Sequence, residues 1–183
     1  VAGDISAEDL AAALEQIFGD LPDVEIDKPA KHEIKNQGKV YVYKDDIPQS
    51  VIEIMQPGIS RTDPDFQTAQ VMNFILGSSG FGSRLTKEIR EKRGLTYGIY
   101  SYFYSLDHLD ALAISTSTAN ANVAEMLKLA PAEFKRMADE PVTEKELQSA
   151  KSYLVGSLPL SLTSTDKIAG LMNSIQLDGL AKD

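Results

Sequence analysis

The chain has 183 residues, a net charge of −9 and no cysteine. Binding to nucleic acid needs a basic face that displaces counterions, so this composition argues against a nucleic-acid partner. Without cysteine there are no disulfides and no thiolate metal sites, and no apolar run approaches the roughly 20 residues of a membrane span.

Apolar residues make up 43% and charged residues 25%, the balance of a globular protein that buries a core. The length suits one domain over residues 1–183. The chain opens on Val1-Ala2-Gly3-Asp4, which reads as the tail of a β-strand. It stops at Leu180-Ala181-Lys182-Asp183, just past a helical pattern. The expectation is a fragment truncated at both ends, with any targeting signal outside it.

In chain order, Ser6-Ala7-Glu8-Asp9 reads as a helix N-cap with acids in the first turn. Leu10, Leu14, Ile17 and Phe18 follow at helical spacing, and Gly19 ends the pattern. Residues 20–38, with Pro22 and Pro29, read as a loop. The segments 39–44 and 50–56 are β-branched and alternating around Asp45-Asp46-Ile47-Pro48, which predicts two paired strands. A helix is predicted from Asp63-Pro64 to about Leu76, apolar almost all round and therefore buried. The glycine-rich stretch Gly77 to Gly82 leads to a basic helix over about 83–93 that stops at Gly94. Strands are predicted over 96–105 and 111–118, joined by a turn at Asp107–Asp110. Helices finish the chain, one opening on a capping box formed by Thr143 and Glu146. The pattern is that of an α+β domain, an antiparallel-rich sheet covered by helices.

Candidate chemistry is sparse. His32 and His108 are the two histidines, and neither has a second ligand at a spacing such as H-x-x-E-H. They read as solvated side chains, and no metal site is expected. Gly77, Gly80 and Gly82 lack the Gly-Lys-Ser/Thr ending of a phosphate loop. They read as a helix end and a flexible link, or as a candidate substrate loop where missing side chains allow a backbone to come close. Arg84, Lys87, Arg90, Lys92 and Arg93 form a basic cluster in an acidic chain, which the end of a helix can explain. Arg90 and Tyr97 lie on either side of the turn at Gly94. A guanidinium and a phenol there can reach one junction and offer donors to a peptide carbonyl or an oxyanion.

The runs Gly58-Ile59-Ser60-Arg61-Thr62-Asp63-Pro64, Asn73-Phe74-Ile75-Leu76-Gly77, Ser83-Arg84-Leu85 and Ile89-Arg90-Glu91-Lys92-Arg93-Gly94-Leu95-Thr96-Tyr97 together resemble the C-terminal, non-zinc domain of the insulinase/pitrilysin/mitochondrial-processing-peptidase family, M16. The resemblance covers nearly the whole chain. It implies one half of a clamshell M16/LuxS-like metallohydrolase fold. It also implies a catalytic partner half, on the same chain or another, carrying zinc on an H-x-x-E-H motif. This half would hold no metal and would bind a peptide substrate through Arg90 and Tyr97, with Gly77, Gly80 and Gly82 as the loop nearby. The implied setting is bacterial, in the periplasm or the cytoplasm. The alternative is a non-proteolytic structural or assembly subunit of the same superfamily.

Overall fold

The computed structural model describes residues 1–27, 29–30, 32–34 and 38–180. In chain order the elements are α1 (Ala7–Phe18), β1 (Gln49–Pro57), α2 (Phe66–Asn73, prolonged by a π-helical turn, Phe74–Ser78), α3 (the π-helical Thr86–Glu91), β2 (Ile99–Leu106), β3 (Leu109–Ala119), α4 (Val123–Asp139), α5 (Glu144–Ser157) and α6 (Thr165–Leu177). They divide into two compact units, Val1–Ala30 with Ser157–Asp183, and Lys31–Gly156.

The first unit holds α1 and α6. The Ser6 hydroxyl accepts the Asp9 N–H at 3.1 Å, as its place before an acidic first turn implies. No residue of α1 is buried, and Ile17 and Phe18 on its apolar stripe are exposed.

The second unit is built on an antiparallel sheet in the order β1-β3-β2. Paired residues share a face, so the register sorts the side chains into two sets. Ile52 and Ile54 of β1, Leu112 and Ile114 of β3, and Ile99 and Phe103 of β2 form the covered face. With Leu76, Leu85, Ile89, Leu95 and Met126 they make the core. Val51, Glu53 and Met55 of β1, Ala113 and Ser115 of β3, and Tyr100 and Tyr102 of β2 lie on the other face.

The expected pairing of 39–44 with the following strand does not occur. β1 pairs with β3, while 39–44 has no strand pairing and Val40, Tyr41, Val42 and Tyr43 are exposed. Alternation reports only that a segment suits a pleated surface. The partner of β1 is settled by Ile52 and Ile54 meeting Leu112 and Ile114 in the core. Asn120 then locks the strand's start, donating to the Ile47 carbonyl at 2.9 Å and accepting from the Ser50 hydroxyl at 2.8 Å.

Several of the recognisable runs have plain packing reasons. Asn73 and Gly77 lie one helical turn apart and both meet Ser101 of β2. The Ser101 hydroxyl donates to Asn73 Oδ1 at 2.6 Å, and a Cβ on Gly77 would come within 2.5 Å of that same hydroxyl. The Ser83 hydroxyl accepts the Thr86 N–H at 3.2 Å just ahead of α3, and Leu85 is wholly buried. Arg84 is buried and reaches α5, where Nε and Nη2 donate to the two Glu146 carboxylate oxygens at 2.8 and 3.0 Å. The capping box is present: Glu146 N–H donates to Thr143 Oγ1 at 3.2 Å, and Thr143 N–H to Glu146 Oε2 at 2.8 Å.

The Arg84 guanidinium, with the Thr143 N–H and hydroxyl, holds the Glu146 carboxyl down at about 2, against an ordinary value of 4.5. A carboxylate depressed in the folded state contributes stability that is full above its unfolded value and is lost as pH falls through the folded one. We therefore expect the melting temperature to drop as pH falls from 4.5 toward 2. Glu146→Gln should start lower and show a shallower fall over that window. Parallel pH profiles for the two proteins would contradict this role.

Candidate functional site

The segment 95–98 crosses from α3 to β2 and is pinned to β3 by three hydroxyls. Thr96 Oγ1 donates to the Ser117 carbonyl at 2.7 Å and accepts the Gly98 N–H at 3.1 Å. Thr116 donates to the Gly98 carbonyl at 2.9 Å, and Thr118 to the Leu95 carbonyl at 2.6 Å. All three threonines are buried. Tyr97 sits in the middle of this fixed segment, yet its side chain is 90% exposed. A large ring held outward on a hydrogen-bonded backbone gains nothing from the core.

Arg90 is in the last turn of α3. The helix stops because Gly94 takes a left-handed conformation, φ +63°, with its N–H donating to the Arg90 carbonyl at 2.9 Å. The Arg90 guanidinium lies 4.4 Å from the centre of the Phe81 ring, a cation–π contact. Phe81 is itself 78% exposed and stands between Gly80 and Gly82, whose φ values are +64° and +113°. A Cβ on either glycine would meet nothing within 4 Å, so this loop is open to its surroundings. Gly77 differs: it is buried at the end of the π-helical turn, against Ser101 and Leu85. It belongs to the packing of α2 on β2 and not to the loop. Among the described residues no hydrogen bond, ion pair or ring contact joins Arg90 to Tyr97.

The basic cluster separates by partner. Arg84 is committed to Glu146. Lys92 and Arg93 both pair with Glu88, and their hydrogen bonds hold its carboxyl below the usual range. Arg90 has no carboxylate partner among the described residues and rests on a ring instead. Phe81, in contact with Arg90, is a residue that sequence reasoning missed. An aromatic between two glycines was the available signal, since an apolar ring is costly to display on a loop that nothing covers.

The two histidines lie near each other in the fold. The structure brings their backbones together, with the His32 N–H donating to the His108 carbonyl at 2.7 Å. His108 is half-buried, its Nδ1 shielded without a hydrogen-bond partner among the described residues, so it is not the solvated side chain expected. A catalytic zinc needs three protein ligands, and no group of three His, Asp or Glu side chains suited to a metal occurs among the described residues. No helix among the described residues is long and apolar enough to cross a membrane.

A family model described as the peptidase M16 inactive domain matches residues 1–154. An uncharacterized zinc protease of Streptomyces coelicolor is 30% identical over 148 residues, covering 81% of this chain and 31% of the relative. A non-peptidase homolog of Helicobacter pylori is 38% identical over 100 residues, covering 52% of this chain and 22% of that protein. The chain thus spans about a third or less of these relatives' length. Among solved structures, the peptidase M16 inactive domain from Pseudomonas fluorescens superposes with a TM-score of 0.72 at 31% identity, covering 98% of this chain and 43% of that one.

Substitution separates the glycines. Gly77→Ala forces a methyl group against Ser101 and Leu85 and should cost about 1–3 kcal/mol by overpacking. Gly80→Ala should cost roughly 1–2 kcal/mol through its left-handed backbone alone. Asn tolerates that conformation, so Gly80→Asn should recover most of the loss in urea unfolding, while Gly77→Asn should be worse than Gly77→Ala. Equal behaviour at the two positions would contradict the distinction.

Proposed function

The chain belongs to the peptidase M16 family, and on that premise we propose that it is the substrate-binding, metal-free half of a zinc-dependent metalloendopeptidase acting on peptides or unfolded polypeptides. The catalytic half, with its H-x-x-E-H motif, supplies zinc and the activated water. This half supplies Arg90 and Tyr97 as contacts near the scissile bond. The loop at Gly80 and Gly82 stands beside Arg90, with Phe81 orienting the guanidinium.

The observation that carries the reading is the display of Tyr97. Burying three hydroxyls with their partners satisfied stabilises the segment around it, and leaving any of them unpaired would cost about 1–3 kcal/mol. Those bonds fix the backbone of a residue whose ring is 90% exposed. A phenol so placed can donate to a peptide carbonyl, and Arg90 can add a second, charged donor. Held in place before substrate arrives, such donors need no reorganisation during reaction.

A second reading, a subunit without proteolytic activity, is favoured by the likeness to the Helicobacter pylori non-peptidase homolog. The two separate in a reconstituted enzyme containing the zinc half. Arg90→Ala and Tyr97→Phe should each lower kcat/KM by about tenfold or more, up to the 10²–10³ of a lost oxyanion donor, with zinc content and folding unchanged. If Arg90 only complements the end of α3, its loss should cost about 0.3–1 kcal/mol of stability and nothing in turnover. Full turnover in both variants would reject the peptidase contact. Elemental analysis of this chain after dialysis should find no stoichiometric zinc, and one tightly held zinc per chain would overturn the metal-free assignment.

A further inference from the structure

We propose that Glu53, Tyr102 and Tyr104 form a subsite on the open face of the sheet for a cationic side chain, Lys or Arg, of a bound extended peptide. The proposal rests on the reading of this chain as a substrate-binding half and deepens it by naming a preference.

The register builds the site across three strands. Glu53 is on β1, Tyr102 and Tyr104 are on β2, and β3 runs between them with Ala111 and Ala113 at the positions facing the tyrosines. Those small floor residues let the rings lie low across the central strand. The Tyr102 hydroxyl crosses to donate to Glu53 Oε1 at 2.7 Å, and the Tyr104 hydroxyl lies 3.4 Å from the same oxygen. The two rings meet edge to face with centroids 5.0 Å apart. Both phenols therefore turn toward one carboxylate oxygen, and Oε2 keeps its hydrogen-bonding capacity. Among the described residues no Lys or Arg pairs with Glu53. The result is an exposed carboxylate beside two aromatic rings.

That combination selects for a cation. An ammonium or guanidinium group can bond Oε2 while lying over a ring face, gaining ionic and cation–π attraction together. An apolar side chain of the same length gains the ring contact alone. An acidic one is repelled by Glu53 and by a chain whose net charge is −9. The site also has a defined distance from the Arg90 and Tyr97 region. β2 begins two residues beyond Tyr97, and at about 3.3 Å per residue Tyr102 lies about 17 Å further along the strand direction. A peptide extended alongside β2 would place its basic residue about five positions from the bond held near Tyr97.

The test is equilibrium binding with chelator present, so that cleavage plays no part. Fluorescein-labelled peptides of one extended sequence carry Lys, norleucine or Glu at a single position, and anisotropy is measured on the chain. The wild type should bind the Lys peptide about three- to tenfold more tightly than the norleucine peptide, with the gap narrowing at high salt. Glu53→Gln should abolish the gap, and Glu53→Lys should turn the preference toward the Glu peptide. Glu53 is exposed, and matching melting temperatures would show that both variants keep the fold. Equal affinity for Lys and norleucine, or an unchanged preference in Glu53→Gln, would overturn the subsite while leaving peptide binding intact. No binding of any peptide would overturn the subsite and the substrate-binding reading together.

Discussion

The attachment of segment 95–98 to β3 by Thr96, Thr116 and Thr118 is the constraint on which the rest of the second unit turns. It joins the end of α3 to the start of β2 with no slack. Because the hydroxyls are buried, their pairing is enforced by the cost of leaving any of them unmet. Once the segment is fixed, the direction of Tyr97, the stop at Gly94 and the end of α3 that carries Arg90 are fixed with it. The covered face of the sheet then takes α2 and α3 at close range, which only Gly77 opposite Ser101 permits.

Electrostatics follow the same division between what the fold consumes and what it leaves over. Arg84 is engaged by Glu146 in a partly buried, bidentate pair, whose disruption would leave the buried Arg84 guanidinium without its counter-charge. Lys92 and Arg93 are used by Glu88 at the helix surface. Arg90 and Glu53 have no ion-pair partner among the described residues: Arg90 rests on the Phe81 ring and Glu53 accepts from the Tyr102 hydroxyl. Both are therefore available to the substrate contacts proposed for them.

Local chemistry was the legible part of the sequence. Ser6, Gly94 and the Thr143–Glu146 box act within a few residues of themselves, so their spacing alone states what they do. The sheet was half legible. The β2–β3 hairpin is short-range and could be read directly, whereas the partner of β1 lies about 60 residues away and depends on which apolar faces meet in the core. Alternation in 39–44 therefore suggested a neighbour that the fold does not use. At the site, Arg90 and Tyr97 were visible as unusual residues around a turn. Phe81 was not, because its relation to Arg90 arises from a loop conformation. Glu53 was not either, because its meeting with Tyr102 exists only through the register of three strands. Gly77 reads in sequence as a helix end or part of a loop, and its close approach to Ser101 appears only once α2 is packed on β2.

The most direct test of the account is to watch the tyrosines while a peptide binds. The chain has seven, and ring-labelled tyrosine gives each its own NMR signal, assigned by substitution to Phe. With chelator present and a non-cleavable extended peptide added, the Tyr97 resonance should shift and saturate with the binding curve, while Tyr153 should not respond. Saturable binding with Tyr97 unmoved would contradict the claim that this chain presents that residue to substrate.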